Sequence, residues 1–317
     1  MKPNLKLSSI LSSVILMTIL YGCSKSNDIV PSQQPEISQT VEGKHVYGLL
    51  TMTPDMYADV PVYSEAVFRS KFKDLTTTPP PPVLTLATPA IRDQGSLGSC
   101  TSFCGAEAYE IMYNYKNGAF PPVLSPAFLY YEERVNILHE KITADDGAYM
   151  VDIDLALQKY GICTEALYTY PASDKTTAYK TPPATAAISN ALNYKISSYV
   201  LINTGDTAAV KNCLRHNIPV MMGLNVYDNS KYQYFEGLNT TSYIYNPLTT
   251  AGALAKGVTL LGGHATPIIG YDDNKKAFKV QNSWGSSWGL NGFYYMPYSV
   301  FSSTKIVPQG GVYYAAI

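Results

Sequence analysis

The chain has 317 residues, of which 46% are apolar and 15% are charged, and its formal net charge is -1. This length and apolar content are enough for one large core or two modest ones. Because the net charge is close to zero and no long run of Lys and Arg occurs, we predict no nucleic-acid partner. The four histidines fall in no zinc-ligand spacing such as HExxH, so we predict neither a metal site nor another cofactor.

The first 22 residues have the pattern of an export signal. Lys2 and Lys6 precede an apolar run over residues 7–20, which is short for a membrane span. The run ends in Leu-Tyr-Gly-Cys at Cys23, a pattern similar to the bacterial lipoprotein box, in which the cysteine carries the lipid. We therefore predict a signal peptide over residues 1–22, lipidation at Cys23 and an exported protein anchored to a membrane at the periplasmic face or cell surface. The alternative is an ordinary signal peptide with a chance cysteine.

Residues 23–84 are interpreted as a tether or pro-segment. They are polar and weakly periodic, and they end in four prolines over 79–82, a stretch suited to polyproline II. A short helix could form over residues 63–75. Because the long charged helix of an inhibitory propeptide is missing, the sequence does not predict an inhibitor.

The pattern of apolar residues over 85–317 predicts an α+β domain in which the helices come first and the strands last. Apolar spacing and stop residues predict helices over residues 100–115, 125–139, 149–160 and 206–215. Short β-rich runs predict antiparallel strands over residues 219–226, 264–271, 277–281 and 292–296, with a tight turn at Asp272-Asp273-Asn274-Lys275. Asp152 and Asp154 are interpreted as a solvated helix face. We interpret three cysteines as small buried hydrophobes, with disulfide bridges as the alternative: Cys104, Cys163 and Cys213.

Three segments carry the candidate chemistry. They are Asp93-Gln94-Gly95-Ser96-Leu97-Gly98-Ser99-Cys100, then Gly262-Gly263-His264-Ala265, then a stretch from Gln281-Asn282 to Gly292 in which Trp-Gly occurs twice. Together they resemble the papain-like cysteine peptidases of the C1 family, over about residues 85–317. The resemblance implies a papain-like two-lobed fold. A helical N-terminal lobe and an antiparallel, β-barrel-like C-terminal lobe would enclose an active-site cleft.

The residue types also fit the chemistry on physical grounds. A thiol at a helix N-terminus beside an imidazolium is stabilised as the thiolate, so Cys100 is the predicted nucleophile and His264 its base. Asn282 can accept a hydrogen bond from one ring nitrogen of His264 and fix its tautomer. The side-chain amide of Gln94 could join the Cys100 backbone N–H in an oxyanion hole.

Further positions are predicted to shape the cleft. Gly147, in an Asp-Gly-Ala element, resembles the family's groove-lining glycine, and Gly263 stands where plant and animal members carry Asp or Asn. We expect Trp284 to shield the His264–Asn282 hydrogen bond. Thr101 replaces the usual aromatic residue and is expected to alter the cleft wall. An insertion between Tyr227 and Leu260 is either a binding loop or a variable surface loop.

The predicted function is hydrolysis of peptide bonds in peptide or protein substrates through a thioacyl-enzyme at Cys100. One alternative is a lipid-anchored binding protein that has lost turnover. Another is an amidase or transferase acting on cell-wall peptides with the same Cys-His pair. The sequence gives no prediction of oligomeric state.

Overall fold

The computed structural model describes residues 45–72, 80–171, 179–229 and 234–317. All of them belong to a compact unit that spans Ser38–Ile317. The predicted signal peptide, Cys23 and the first part of the predicted tether lie outside the described residues. Within the described ranges, no helix is long and apolar enough to cross a membrane.

Most helices of the described chain precede its long strands, and the last helix lies between the last two strands. They are α1 (Glu65–Lys71), α2 (Cys100–Asn117), α3 (Pro126–Tyr131), α4 (Met150–Lys159), α5 (Thr185–Ala191), α6 (Thr207–Arg215) and α7 (Tyr298–Phe301). A 3-10 turn covers Pro54–Met56, and a π-helical stretch over Glu132–Ile137 continues α3.

Helix α2 has the start and the end that the sequence predicts. It begins at Cys100 and ends at Gly118, whose φ of 77° is the left-handed conformation that glycine adopts without a Cβ penalty. Residues 100–112 are all buried, and α2 packs against the strand that carries His264. The helix therefore fixes Cys100 at the junction of the helices and the sheet.

The next two predicted helices are confirmed, except that the first becomes π-helical from Glu132 onwards. Ser125 caps α3 by accepting a hydrogen bond from the Phe128 N–H at 3.0 Å, and Pro126 occupies the first turn. Helix α4 ends before Gly161, whose φ is 77°.

The interpretation of Asp152 and Asp154 as a solvated face is wrong. Both are buried because α4 packs against α2 and the π-helical stretch.

An antiparallel sheet forms the second part. Its strands are β1 (Val83–Thr85), β2 (Ser198–Leu201), β3 (Val220–Asp228), β4 (Thr259–Asp272), β5 (Ala277–Gln281), β6 (Phe293–Pro297) and β7 (Val312–Ala316). The order across the sheet is β2-β7-β3-β4-β5-β6, and β1 pairs with β4. The α+β class, with helices first and an antiparallel sheet last, is as predicted.

Strand β4 is the centre of the sheet and delivers the predicted histidine. Its register pairs His264 with Leu224 of β3, and the turn at Asp272 then leads into β5. The Asp272 carboxylate accepts the N–H groups of Asn274 and Lys275, which is the turn chemistry that the sequence predicts. β5 ends at Gln281, so Asn282 follows directly beside β4.

The segment before β1 also packs on this domain. Pro61 O accepts from the Leu201 N–H at 2.8 Å, and the Tyr63 N–H donates to Leu201 O at 2.7 Å. Phe68 of α1 is completely buried. Part of the predicted tether or pro-segment is therefore integrated with the core.

Candidate active site

Cys100 lies at the first position of α2, where the helix presents unpaired backbone N–H groups. The thiol is completely buried and receives main-chain hydrogen bonds from Gly48 and Ala265. Ala265 follows His264 on β4, so the helix N-terminus and the histidine strand meet at this sulfur.

Gln94 connects the loop before α2 to the segment after β5. Its Nε2 donates to Leu97 O at 3.0 Å and lies 3.4 Å from Val46 O, while its Oε1 accepts from Ser283 Oγ at 2.7 Å. The Gln94 N–H also donates to Ser283 O at 2.8 Å. The side-chain amide of Gln94 is thus held in one orientation, and its Nε2 points towards the carbonyl oxygen of Val46.

His264 and Asn282 make the expected hydrogen bond. The His264 Nε2 is 2.7 Å from Asn282 Oδ1, which also accepts from the Ser283 N–H at 2.9 Å. Both side chains are completely buried. Since an amide oxygen can only accept, Nε2 carries the proton and Nδ1 keeps its lone pair. Nδ1 makes no hydrogen bond within the described part of the chain, so it is the nitrogen left for a proton from sulfur.

Trp284 lies against this hydrogen-bonded pair. Its ring centroid is 4.9 Å from that of His264. Trp284 also stacks on the ring of His45, with 3.9 Å between the ring centroids, and contacts the ring of Trp288 edge-on, with 5.3 Å between the centroids. With a relative exposure of only 3%, Trp284 excludes water from the His264–Asn282 bond.

The cleft above Cys100 is filled by residues 45–50 of the chain itself. The Leu49 N–H donates to Gly263 O at 3.0 Å, and the Leu50 N–H donates to Ala148 O at 2.9 Å. The Ala148 N–H returns a bond to Gly48 O at 2.9 Å. Residue 49 thus pairs antiparallel with Gly263 and parallel with Ala148. We define residues 45–50 as the cleft segment.

Glycines allow this close approach. A Cβ on Gly48 would lie 1.9 Å from Gly98 O, and one on Gly263 would lie 2.3 Å from Leu49 O. A Cβ on Gly147 would lie 1.9 Å from Gly48 O. The predicted groove glycine Gly147 therefore provides space, while the main-chain hydrogen bonds are made by the next residue, Ala148.

The occupied cleft sets the protonation states of the pair. Burial raises the pKa of the Cys100 thiol to about 12, although the main-chain bonds from Gly48 and Ala265 act against it. Burial lowers the pKa of His264 to about 4, with the Asn282 hydrogen bond acting against it. Both groups are neutral at pH 7 in this arrangement. The expected thiolate and imidazolium require the water that the cleft segment excludes.

Thr101 is placed differently from our expectation. Its side chain points into the helical half, where Oγ1 donates to Glu133 Oε2 at 2.6 Å, and both residues are completely buried. Burial raises the pKa of Glu133 well above its usual range. Thr101 therefore replaces an aromatic ring with a buried polar contact and does not line the cleft.

Several residues at the site carried no signal in the sequence analysis. Ser283, which holds Gln94, could have been suspected only from its place next to Asn282. The cleft segment could not have been found, because its fit depends on main-chain pairing with residues about 100 and 215 positions later. Its Leu49 side chain packs beside Met150 and Gly223 and is 5% exposed.

Comparison with known families gives a match over most of the chain. The model of the papain family cysteine proteases matches residues 85–309. A peptidase C1-like protein of Acanthamoeba polyphaga mimivirus is 33% identical over 224 residues, which are 68% of this chain and 66% of that protein. Cysteine proteinase 3 of Dictyostelium discoideum is 27% identical over 212 residues, or 65% and 54% of the two chains. The match thus spans half to two thirds of the length of these relatives.

Solved structures agree on the fold. Xylellain, a cysteine protease from Xylella fastidiosa, is 27% identical with a TM-score of 0.68, over 86% of this chain and 97% of that one. The bromelain protease from Ananas comosus has a TM-score of 0.55 at 21% identity, over 75% and 99% of the two chains, and supports the fold alone. The predicted papain-like architecture is confirmed.

Proposed function

Since this chain belongs to the papain family of cysteine proteases, we propose that it is a cysteine endopeptidase that acts on peptide or protein substrates through Cys100. The Cys100 thiol passes its proton to His264 Nδ1, the thiolate attacks the scissile carbonyl carbon, and the resulting oxyanion accepts hydrogen bonds from Gln94 Nε2 and the Cys100 N–H. His264 gives its proton to the leaving amine as the C–N bond breaks. Water then attacks the thioester carbonyl and loses a proton to His264. The C–S bond breaks, which releases the acid product and restores the Cys100 thiolate.

The observation that carries this proposal is the convergence of four side chains around an extended peptide. Cys100 stands at a helix N-terminus, Gln94 is oriented by Ser283, and His264 is held by Asn282 at 2.7 Å. The peptide that pairs with Ala148 and Gly263 beside them is the cleft segment. An arrangement that binds one extended main chain over a thiol can bind another.

We further propose that the full chain is a latent precursor. A substrate needs the space that residues 45–50 occupy, and the neutral thiol beneath them is a poor nucleophile. A charged inhibitory helix is not needed, because the main-chain bonds of Leu49 and Leu50 hold the cleft segment in place. This part of residues 23–84 would then act as a pro-segment as well as a tether.

We also propose that the protein is an exported lipoprotein, anchored through Cys23 at the periplasmic face or the cell surface. The support is the sequence pattern of residues 1–23. Residues 24–44 separate Cys23 from the cleft segment.

Labelling with an active-site-directed epoxide tests the proposal. The full chain carrying Gly48→Ala is the suitable protein, because a Cβ at position 48 would meet the Gly98 carbonyl oxygen at 1.9 Å and expel the cleft segment. We expect mass spectrometry to place the label on Cys100 and on no other cysteine. Modification of Cys163 or Cys213 in its place would overturn the assignment.

A further inference from the structure

The insertion between β3 and β4 is anchored at its start by Asp228. This carboxylate accepts the backbone N–H groups of Tyr234 at 2.5 Å, Phe235 at 3.1 Å and Glu236 at 2.9 Å. Asp228 is only 2% exposed. Because charge-assisted hydrogen bonds to a buried carboxylate are strong, residues 234–236 are held in one position.

Phe235 ties this turn to the catalytic centre. It is completely buried, with its ring centroid 5.2 Å from that of Trp284, 5.1 Å from that of Trp288 and 5.9 Å from that of His264. The insertion is therefore part of the wall behind His264. Its next residue, Glu236, is consequently fixed at the edge of the cleft.

Glu236 meets the side chain of Tyr47 from the cleft segment. The Tyr47 hydroxyl donates to Glu236 Oε1 at 2.5 Å. The Tyr47 ring lies edge-on to Trp284 at 5.7 Å and to His264 at 6.1 Å. Burial and the nearby Glu236 charge raise the pKa of Tyr47 far above its usual value, so the phenol stays a donor.

A glycine completes the slot around Tyr47. A Cβ on Gly262 would lie 2.5 Å from the Tyr47 Cβ, so no larger residue would leave room for this side chain. The slot thus has a glycine backbone on one side, aromatic rings beside it and a carboxylate at its end. A carboxylate at the end of an aromatic slot selects a ring that carries a hydroxyl donor.

We propose that Gly262, Trp284 and Glu236 form a subsite for a tyrosine side chain of the substrate, and that Tyr47 is its intramolecular occupant. The subsite lies on the Trp284 side of Cys100. The use of this subsite by a substrate rests on the proposed peptidase function. Its occupation by Tyr47 is independent of that proposal. Phenylalanine fits the slot equally well, yet it leaves the Glu236 carboxylate without the phenol. The preference between the two side chains therefore comes from the hydroxyl.

Hydrogen exchange tests the occupation of the subsite without any catalysis. The protein is the full chain with Cys100→Ala, and the reporters are the Leu49 and Leu50 amides, which are bonded to Gly263 and Ala148. We expect Tyr47→Phe and Glu236→Gln each to accelerate their exchange by about tenfold to a hundredfold. The double variant should exchange no faster than either single one, because both remove one bond. Tyr243→Phe, in the same insertion, is the control and should have no effect.

Unchanged exchange in either single variant, or effects that multiply in the double variant, would overturn the pairing of Tyr47 with Glu236. A loss of the fold is recognised separately, since amides in α2 and β4 would then exchange faster as well.

Substrate selectivity tests the same subsite in turnover. The full chain with Gly48→Ala is given paired quenched peptides that carry Tyr or Phe at the positions flanking the cleaved bond. We expect kcat/KM to favour Tyr by about tenfold or more at one flanking position, and Glu236→Gln to bring this ratio close to one. Tyr243→Phe should keep it.

The subsite and the peptidase proposal would be contradicted by different results. Cleavage without a Tyr preference, or a preference that survives Glu236→Gln, would overturn the subsite. If Gly48→Ala cleaves no peptide while the exchange results hold, the peptidase proposal fails and Glu236 binds only Tyr47.

Discussion

Gln94 is held by more contacts than an oxyanion donor needs. Its Nε2 bonds to Leu97 O, and its Oε1 accepts from Ser283 Oγ. Such contacts fix the amide before substrate arrives, which is the condition for effective electrostatic stabilisation of a transition state. They also give Gln94 a structural role that a mutagenesis experiment must separate from the catalytic one.

Gln94→Ala should lower kcat by about 10²–10³, which corresponds to the loss of one oxyanion donor, about 2.7–4 kcal/mol. KM should change little, and Cys100 should still alkylate at nearly the original rate in the Gly48→Ala chain. Ser283→Ala is the matched control because it removes the support of Gln94 but leaves the amide in place. We expect it to lower kcat less. A full kcat in Gln94→Ala, or a complete loss of alkylation, would show that Gln94 is only a structural loop residue.

The closed cleft should open more often as the solution becomes acidic. His264 has a pKa of about 4 when covered, and an exposed imidazole has a pKa near 6.5. The closed state therefore binds fewer protons than the open state between these values, so its stability is complete above about pH 6.5 and falls as the pH drops towards 4. His45 and Glu236 face the same space: the charge of His45 lowers the pKa of His264 further, and Glu236 accepts the hydrogen bond of Tyr47.

Exchange of the Leu49 and Leu50 amides in the Cys100→Ala chain measures this opening. After correction for the intrinsic exchange rate, the opening equilibrium should rise at least tenfold from pH 7 to pH 4.5. His264→Gln removes the main titrating group and should flatten the dependence. An opening equilibrium that is constant or rises with pH would contradict the protonation states assigned to the closed cleft.

At the scale of elements, the sequence predicted those pieces whose signals are local. Helix α2 was found because its apolar spacing and Gly118 lie within one stretch, and β5 because its β-rich run directly follows a turn with Asp chemistry. The four candidate catalytic residues were found for a similar reason, since each belongs to a short motif. Their roles remain predictions.

The elements that the sequence did not predict depend on distant partners. β2 and β7 pair although more than 100 residues separate them in the sequence. β1 has only three residues and forms by pairing with β4. The cleft segment is held by main-chain bonds across the fold, which leave little pattern in side chains. Residues 234–236 are held by the carboxylate of Asp228, a contact that hydrophobic periodicity does not indicate. Asp152 and Asp154 were misplaced because acidic residues are rarely buried.

Buried carboxyls in α2 and α4 make the stability of the domain depend on pH. Burial raises the pKa of Glu107 to about 8 and that of Asp152 to about 7. The folded chain keeps protons that the unfolded chain loses near pH 4–4.5, so their contribution to stability is complete below that range and is lost as the pH rises to about 8.

Glu107→Gln should reduce this loss. We expect the Tm of the original chain to fall by several degrees between pH 5 and pH 8, and the variant to show a smaller fall. Glu140, which is exposed, provides the control, because Glu140→Gln should leave the dependence unchanged. A Tm that is constant or rises over this range would contradict the buried, protonated state of Glu107.

For the whole molecule, the anchor is expected to act independently of the peptidase domain. Cys23→Ala should shift the chain from the detergent phase to the aqueous phase in phase partitioning, because each buried acyl methylene contributes about 0.8 kcal/mol to membrane binding. The Cys100→Ala chain is the control and should partition like the original chain. Equal partitioning of the original chain and Cys23→Ala would rule out a lipid anchor at this residue.

The central claim is that Cys100 cleaves peptide bonds once the cleft segment has left its place. Its most direct test is the digestion of a peptide library by three full-length chains, with products identified by mass spectrometry. The account predicts new N-termini with Gly48→Ala, far fewer with the original sequence, and none with Gly48→Ala combined with Cys100→Ala. Products that persist without Cys100, or no products from the Gly48→Ala chain, would contradict it.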